Sequence, residues 1–395
     1  MKKKIAILTI LICLSLSAFA PVLVHAQITI KLQSSSVQAD FPSKLTFNLS
    51  AKDDVNLTDI RLRYTINRES FAQAFSEAYV AFTPAATVSV NWVLNMQKIG
   101  GLPPGATVKY WWVIKDAAGN RLETAPQQID FNDSRHLWRN VSKGTLTLYW
   151  YQGDDAFVNQ LMTAAQQGLA SLEKNTGAQL VRPVRIYIYA SARDLQGSMV
   201  FPAEWTGGVS FTEYGIIAIG IAPSNLDWGL RAITHELTHL VIHQMTFNPY
   251  NGLPTWLDEG LAVYNEGPPD PTFTALLNQA IADNQLTSVR SLSSPFSAYG
   301  DEATLSYAES YSVVNYLITT YGQPKMLELL NTFQQGSTYD GAFQEVYGFN
   351  MDGLYTLWKQ QVIPKRASRL EPVTPSFPVR FGLALQGLMP LWGVS

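Results

Sequence analysis

His235-Glu236-Leu237-Thr238-His239 is the stretch of this chain best suited to chemistry. Residues four apart on a helix project about 40° from one another, so two imidazole nitrogens can reach one divalent cation while the glutamate between them points beside it. A cation held in this way needs a third protein donor if its last position is to stay open to water. Glu259 is the candidate, twenty residues on, in the run Leu253-Pro-Thr-Trp-Leu-Asp-Glu-Gly-Leu-Ala-Val-Tyr264. Pro254 and Asn251-Gly252 break the first helix, Thr255 reads as an N-cap, and Asp258 three residues later completes a capping box. Two helices joined by such a loop can fold back as a hairpin and carry Glu259 to the histidine face. Asp258 is also placed to accept a hydrogen bond from a metal-binding histidine.

His243 stands eight residues after His235, about 80° round the helix, and reads as a structural or supporting residue rather than a ligand. The rival pattern, with Gly three and His six residues after the second histidine, is excluded because those positions hold Ile242 and Met245. Buried histidines and a solvated glutamate would explain the motif alone. They do not explain the run that follows it.

His-Glu-Leu-Thr-His-Leu-Val followed by Trp-Leu-Asp-Glu-Gly-Leu-Ala-Val-Tyr resembles the gluzincin metallopeptidases, most closely the peptidase MA-like family. Ser306-Tyr-Ala-Glu-Ser-Tyr-Ser-Val-Val-Asn-Tyr-Leu317 through Tyr321-Gly322 is similar to a later helix of that group. The resemblance implies one zinc ion bound by His235, His239 and Glu259, with Glu236 as catalytic base. It also implies hydrolysis of a peptide or protein substrate, by an endopeptidase. Tyr307 and Tyr311 are the candidates to stabilise an oxyanion, although core packing explains either. The alternative reading is a surface adhesin or carbohydrate-binding protein carrying an inactive peptidase-like domain.

The elements that must position these residues begin with an all-β region. Ile60, Leu62, Tyr64 and Ile66 alternate on one side of one segment, Val88, Val90, Trp92 and Leu94 on another, and Val108, Tyr110, Trp112 and Ile114 on a third. Leu102 to Tyr110 and Asp116-Ala-Ala-Gly-Asn120 resemble the later strands of fibronectin type III and other immunoglobulin-like domains. The spacing then changes: a strand over Thr145 to Tyr151, a helix over Ala156 to Lys174, a strand over Val184 to Tyr189, and a hairpin of Val209 to Phe211 with Ile216 to Ile221. Ile216 to Ile221 reads as an edge strand able to hold an extended peptide by backbone pairing. Helices follow over Leu226 to Thr246, Trp256 to Asn265, Pro271 to Asp283, Glu302 to Thr320, Pro324 to Phe333 and Met351 to Val362. The fold class expected is therefore multidomain: an N-terminal immunoglobulin- or fibronectin-like sandwich at 27–132, then an α+β, mainly helical zincin-like peptidase domain at 145–366.

A chain of 395 residues exceeds one ordinary core, which agrees with two units. Lys2, Lys3 and Lys4 precede an uncharged apolar run from Ile5 to Val24, so 1–26 reads as a signal peptide, with an uncleaved anchor as the alternative. The expected location is extracytoplasmic: secreted, or associated with a cell surface. The one cysteine, Cys13, lies in that segment, leaving no thiol for disulfide, metal or nucleophile chemistry in the mature chain. A formal net charge of -3 with no basic run beyond the amino end excludes nucleic acid as an expected partner. Pro372, Pro375 and Pro378 lead a linker and short apolar tail at 367–395, whose stretch from Phe381 to Val394 is too short to span a bilayer; membrane association is not the expectation.

Overall fold

The structure, a computed structural model, describes residues 29–69, 72, 74–203, 206–297 and 300–363. The segment read as a signal peptide, 1–26, and the tail at 367–395 lie outside the described residues. Period-two sequences build the first unit from β1 (Lys31–Asp40), β2 (Lys44–Ile66), β3 (Ser76–Tyr79), β4 (Ala85–Asn95), β5 (Ala106–Asp116), β6 (Arg121–Glu123) and β7 (Gln127–Phe131). β2 is one long strand whose pairing shifts between Lys52 and Leu57. Its first half pairs antiparallel with β1 and β4, and its second half with β3 and β5; β5 goes on to β6 and β7. One strand thus serves two layers, as in an immunoglobulin-like sandwich. Phe47, Leu49, Ile60, Leu62, Tyr110 and Trp112 fill the space between them. Trp112 is fully buried, and its indole N–H finds Ser35 Oγ at 3.1 Å, as a buried indole requires.

The second unit starts before residue 145, because β8 (Arg139–Lys143) pairs with β9 (Leu146–Trp150) in its sheet. α1 (Asp155–Thr176), capped by Asp154 and stopped at Gly177, leads to β10 (Val184–Tyr189); then come α2 (Ala192–Gln196), β11 (Gly208–Phe211) and β12 (Ile216–Gly220). The sheet order is β11-β12-β10-β9-β8, with β9, β10 and β12 parallel. Strands covered on both faces read as continuous apolar runs. Ile186, Ile188, Ile217 and Ile219 join the main helical core, whereas Tyr187, Tyr189, Ile216 and Ala218 pack on the opposite side with Leu195. One expectation is corrected here: Ile216 to Ile221 is not an edge strand, because β12 is paired on both sides and β11 takes the outer position. Hydrophobic runs reveal that a strand exists; its place in the sheet depends on pairing.

The remaining chain is helical: α3 (Leu226–Thr246), α4 (Thr255–Asn265), α5 (Pro271–Ala282), α6 (Gly300–Tyr321), α7 (Gln323–Gln334), α8 (Tyr339–Tyr347) and α9 (Met351–Val362). α3 runs through the middle of this layer, with Ile233, Leu237, Leu240 and Val241 fully packed in the core. α4 lies against α3 on one side and α6 on another. Gly260 permits the second contact, since a Cβ there would meet the Ser310 carbonyl oxygen at 2.6 Å. None of the described helices is long and apolar enough to cross a membrane.

Candidate metal centre

α3 and α4 bring His235, His239 and Glu259 together, all of them buried. The two Nε2 atoms are 3.1 Å apart, and Glu259 Oε2 is 3.4 Å from each. Donors at ~2.0–2.1 Å from a tetrahedral zinc would lie ~3.3 Å from one another, so the triangle has the dimensions of such a site. The outer nitrogens explain why these atoms converge. His235 Nδ1 is 2.7 Å from Glu266 Oε1, and His239 Nδ1 is 2.9 Å from Asp258 Oδ1. With Nδ1–H donating to a carboxylate, each ring turns its Nε2 lone pair inward. Two inward lone pairs at 3.1 Å repel unless a proton or a metal ion lies between them. Glu259 Oε2 is buried and accepts no hydrogen bond, which is the second sign of a cation position. The residues present therefore fit a zinc ion.

Asp258 does not cap α4. The residue before the helix is Pro254, with no side-chain cap, and the Thr255 hydroxyl donates instead to the Ser293 carbonyl at 3.2 Å. The sequence-based capping box is thus corrected: Asp258 holds His239 with one oxygen and His243 with the other, at 2.9 Å each. His239, His243 and Asp258 also form a cluster able to face a cation, but both contacts there have hydrogen-bond length and need none. Burial penalises the imidazolium of His239, yet Asp258 and Glu259 outweigh that penalty and hold its pKa well above the ordinary value. Burial likewise opposes ionisation of Glu259 and Asp258, and the histidines reverse it, keeping both carboxylates below their ordinary range.

Glu236 lies beside this cluster and interacts with its charges. Its side chain is buried beside β11, where Ser210 Oγ lies 2.6 Å from Oε2 and 2.7 Å from the Glu236 carbonyl oxygen. Burial raises its pKa, opposed by His239 and His235. A carboxyl raised above its ordinary range by burial is a better proton acceptor than an exposed carboxylate. Gly208 makes the approach possible, because a Cβ at that position would stand 2.6 Å from Glu236 Oε1. Tyr307 is buried, and its phenol is pushed up first by burial and then by the charges of Glu259 and Glu236, so it belongs to the same electrostatic neighbourhood. Tyr311 stacks on Tyr264 with centroids 6.0 Å apart and feels no site carboxylate.

Three site residues escape a reading of the sequence alone. Glu266 lies seven residues after Glu259, two helical turns on, and that spacing is the signal that could have found it. It is anchored in turn by Arg231, whose Nε is 3.0 Å from Oε2. Ser210 and Gly208 carry no such signal, since only the packing of β11 on α3 brings them to Glu236.

Residues 164–364 match the Peptidase MA superfamily, over half of the chain. The protein belongs to that superfamily. Among solved structures, it is similar to the M1 zinc metallopeptidase from Deinococcus radiodurans, with 12% identity, a TM-score of 0.31, and 84% of this chain aligned to 94% of that one. Similarity to OgpA from Akkermansia muciniphila covers 27% of this chain and 28% of that chain, at 5% identity and a TM-score of 0.23. The third fibronectin III domain of a human protein aligns with 30% of this chain over 94% of its own length, at 12% identity and a TM-score of 0.20. Similarities of this size assign nothing further to the chain. No curated protein matches it.

Proposed function

We propose that the chain is an extracytoplasmic zinc-dependent endopeptidase in which His235, His239 and Glu259 hold one ion and Glu236 is the general base. The observation that carries this reading is the triangle of three donors 3.1–3.4 Å apart, with both histidine Nδ1 atoms already engaged by carboxylates. Zinc, when bound, supplies a Lewis acid that acidifies water and polarises a carbonyl. Glu236 accepts the proton of the attacking water at a carboxylate oxygen and returns it to the leaving amine. Ser210 orients that carboxylate, and Gly208 leaves it room. Tyr307 is the better of the two tyrosines to donate toward a developing oxyanion. Glu266 and Asp258 fix the tautomer and direction of the two imidazoles.

The adhesin alternative gains no support from the site. Burying Glu236, Asp258, Glu259 and Glu266 around two imidazoles is costly, and a module without the ion would have no use for it. The extracytoplasmic location rests on the apolar amino end alone, and endopeptidase action on the extended character of β11 at the site. The test is a Glu236→Gln chain. It should bind zinc as the parent does and cleave an unfolded protein substrate about 100-fold or more slowly. Equal cleavage rates would remove Glu236 from the mechanism.

A further inference from the structure

A groove of about 420 Å³ lies where the sandwich meets the peptidase unit. Its lining combines Gly100 to Pro103, from the connection between β4 and β5, with Met199 to Phe201 and Val209 through Tyr214. Three observations connect it to the catalytic centre. Ser210 lines the groove and also hydrogen-bonds Glu236, so one residue borders both. β11 has β12 as its only strand partner among the described residues. The Gly207 carbonyl accepts from Gly220 N–H at 2.9 Å, and antiparallel alternation then leaves the backbone groups of Gly208 and Ser210 on the outer side of the sheet.

The sandwich side of the groove is fixed in place. Arg185 donates to the Gly105 carbonyl at 2.7 Å, Tyr189 donates to Asp133 at 3.0 Å, and Glu69 N–H donates to the Glu213 carbonyl at 2.7 Å. Val200, although part of the peptidase unit, packs on the sandwich core. Phe201, by contrast, is 68% exposed at the groove, an apolar ring that folding does not explain.

We infer that this groove is a side-chain subsite: it receives a large apolar side chain of an extended peptide laid along β11, and the β4–β5 connection of the sandwich takes part in selecting it. The inference rests on the peptidase reading above.

The experiment profiles the zinc-loaded full chain on peptides that vary one position at a time, for the parent, Phe201→Ala and Gly100→Asn. Gly100 has a φ of 80°, which asparagine tolerates, and a Cβ there meets nothing within 4 Å. Both variants should lower kcat/KM about 10-fold, through KM, for peptides with a large apolar residue at one shared position. Peptides with glycine or alanine at that position should be cleaved as by the parent, and zinc content should not change. A parent profile retained by both variants would overturn the subsite while leaving the peptidase standing. A response to Phe201→Ala alone would remove the sandwich from selection and overturn the inference as stated. A uniform change for every peptide would mean that something other than substrate fills the groove. A zinc-loaded parent that cleaves none of the peptides would instead sink the peptidase reading itself.

Discussion

The helical layer buries carboxyl groups in two places, with opposite results. At the junction of α3 and α4, Asp258 and Glu259 stay ionised below their ordinary range because His235, His239 and His243 face them. On α6, Glu309 is fully buried and, among the described residues, has no imidazole or cation beside it; one oxygen accepts from Thr287 N–H at 2.8 Å and the other accepts no hydrogen bond. Burial pushes it up to about 7. Low polarity alone therefore drives a carboxyl toward neutrality, and only opposed basic groups keep the first place charged. The chemistry of the junction comes from its partners rather than from its depth.

The comparison can be broken most forcefully at the ligands. His235→Ala should lose stoichiometric zinc and all cleavage while circular dichroism still reports a folded chain, because Ile233, Leu237 and Leu240 hold α3 in the core without it. Unchanged metal content would show that the junction is not organised around an ion. Glu266→Gln should weaken zinc about 10–100-fold by loosening His235, as measured against a competing chelator. If Glu266→Gln binds like the parent, the tautomer argument fails for that arm. Asp258→Asn makes the same test on His239, with a further loss expected from releasing His243.

Glu309 sharpens the other half. Its folded pKa, about 7, exceeds the 4.5 of the ordinary group, so the stability it contributes is complete below pH ~4.5 and is lost as pH rises through 7. Glu309→Gln should remove that slope and make the chain about 3 kcal/mol more stable than the parent above pH 7, with little difference at pH 4.5. Parallel stability curves for the two chains would contradict it. The smallest effect is expected at the joint, where Arg185→Ala gives up the bond to the Gly105 carbonyl. It should cost about 1 kcal/mol in urea unfolding and leave zinc affinity untouched.

Much of the junction can be read from the chain. Leu226–Thr246 and Met351–Val362 appear with their full bounds, because apolar residues recur there at helical spacing between clear stops. The meeting of His235, His239 and Glu259 follows from periodicity and a short connection. Other parts resist for identifiable reasons. Arg139–Lys143 shows no alternation and becomes a strand only by pairing with β9. Tyr339–Tyr347 is short and carries Gly341, so local propensity understates it. Asp258 satisfies a local capping rule, yet tertiary packing gives it to two histidines. Ser210 and the groove beside Phe201 depend on residues from separate elements meeting, which spacing along one segment does not encode.

Zinc absorption spectroscopy of the loaded full chain probes the donor set most directly. Two imidazole nitrogens, one carboxylate oxygen and one water oxygen should surround a single ion at about 2.0–2.1 Å. A third imidazole, six oxygen-rich neighbours, or no bound zinc would contradict the assignment of His235, His239 and Glu259.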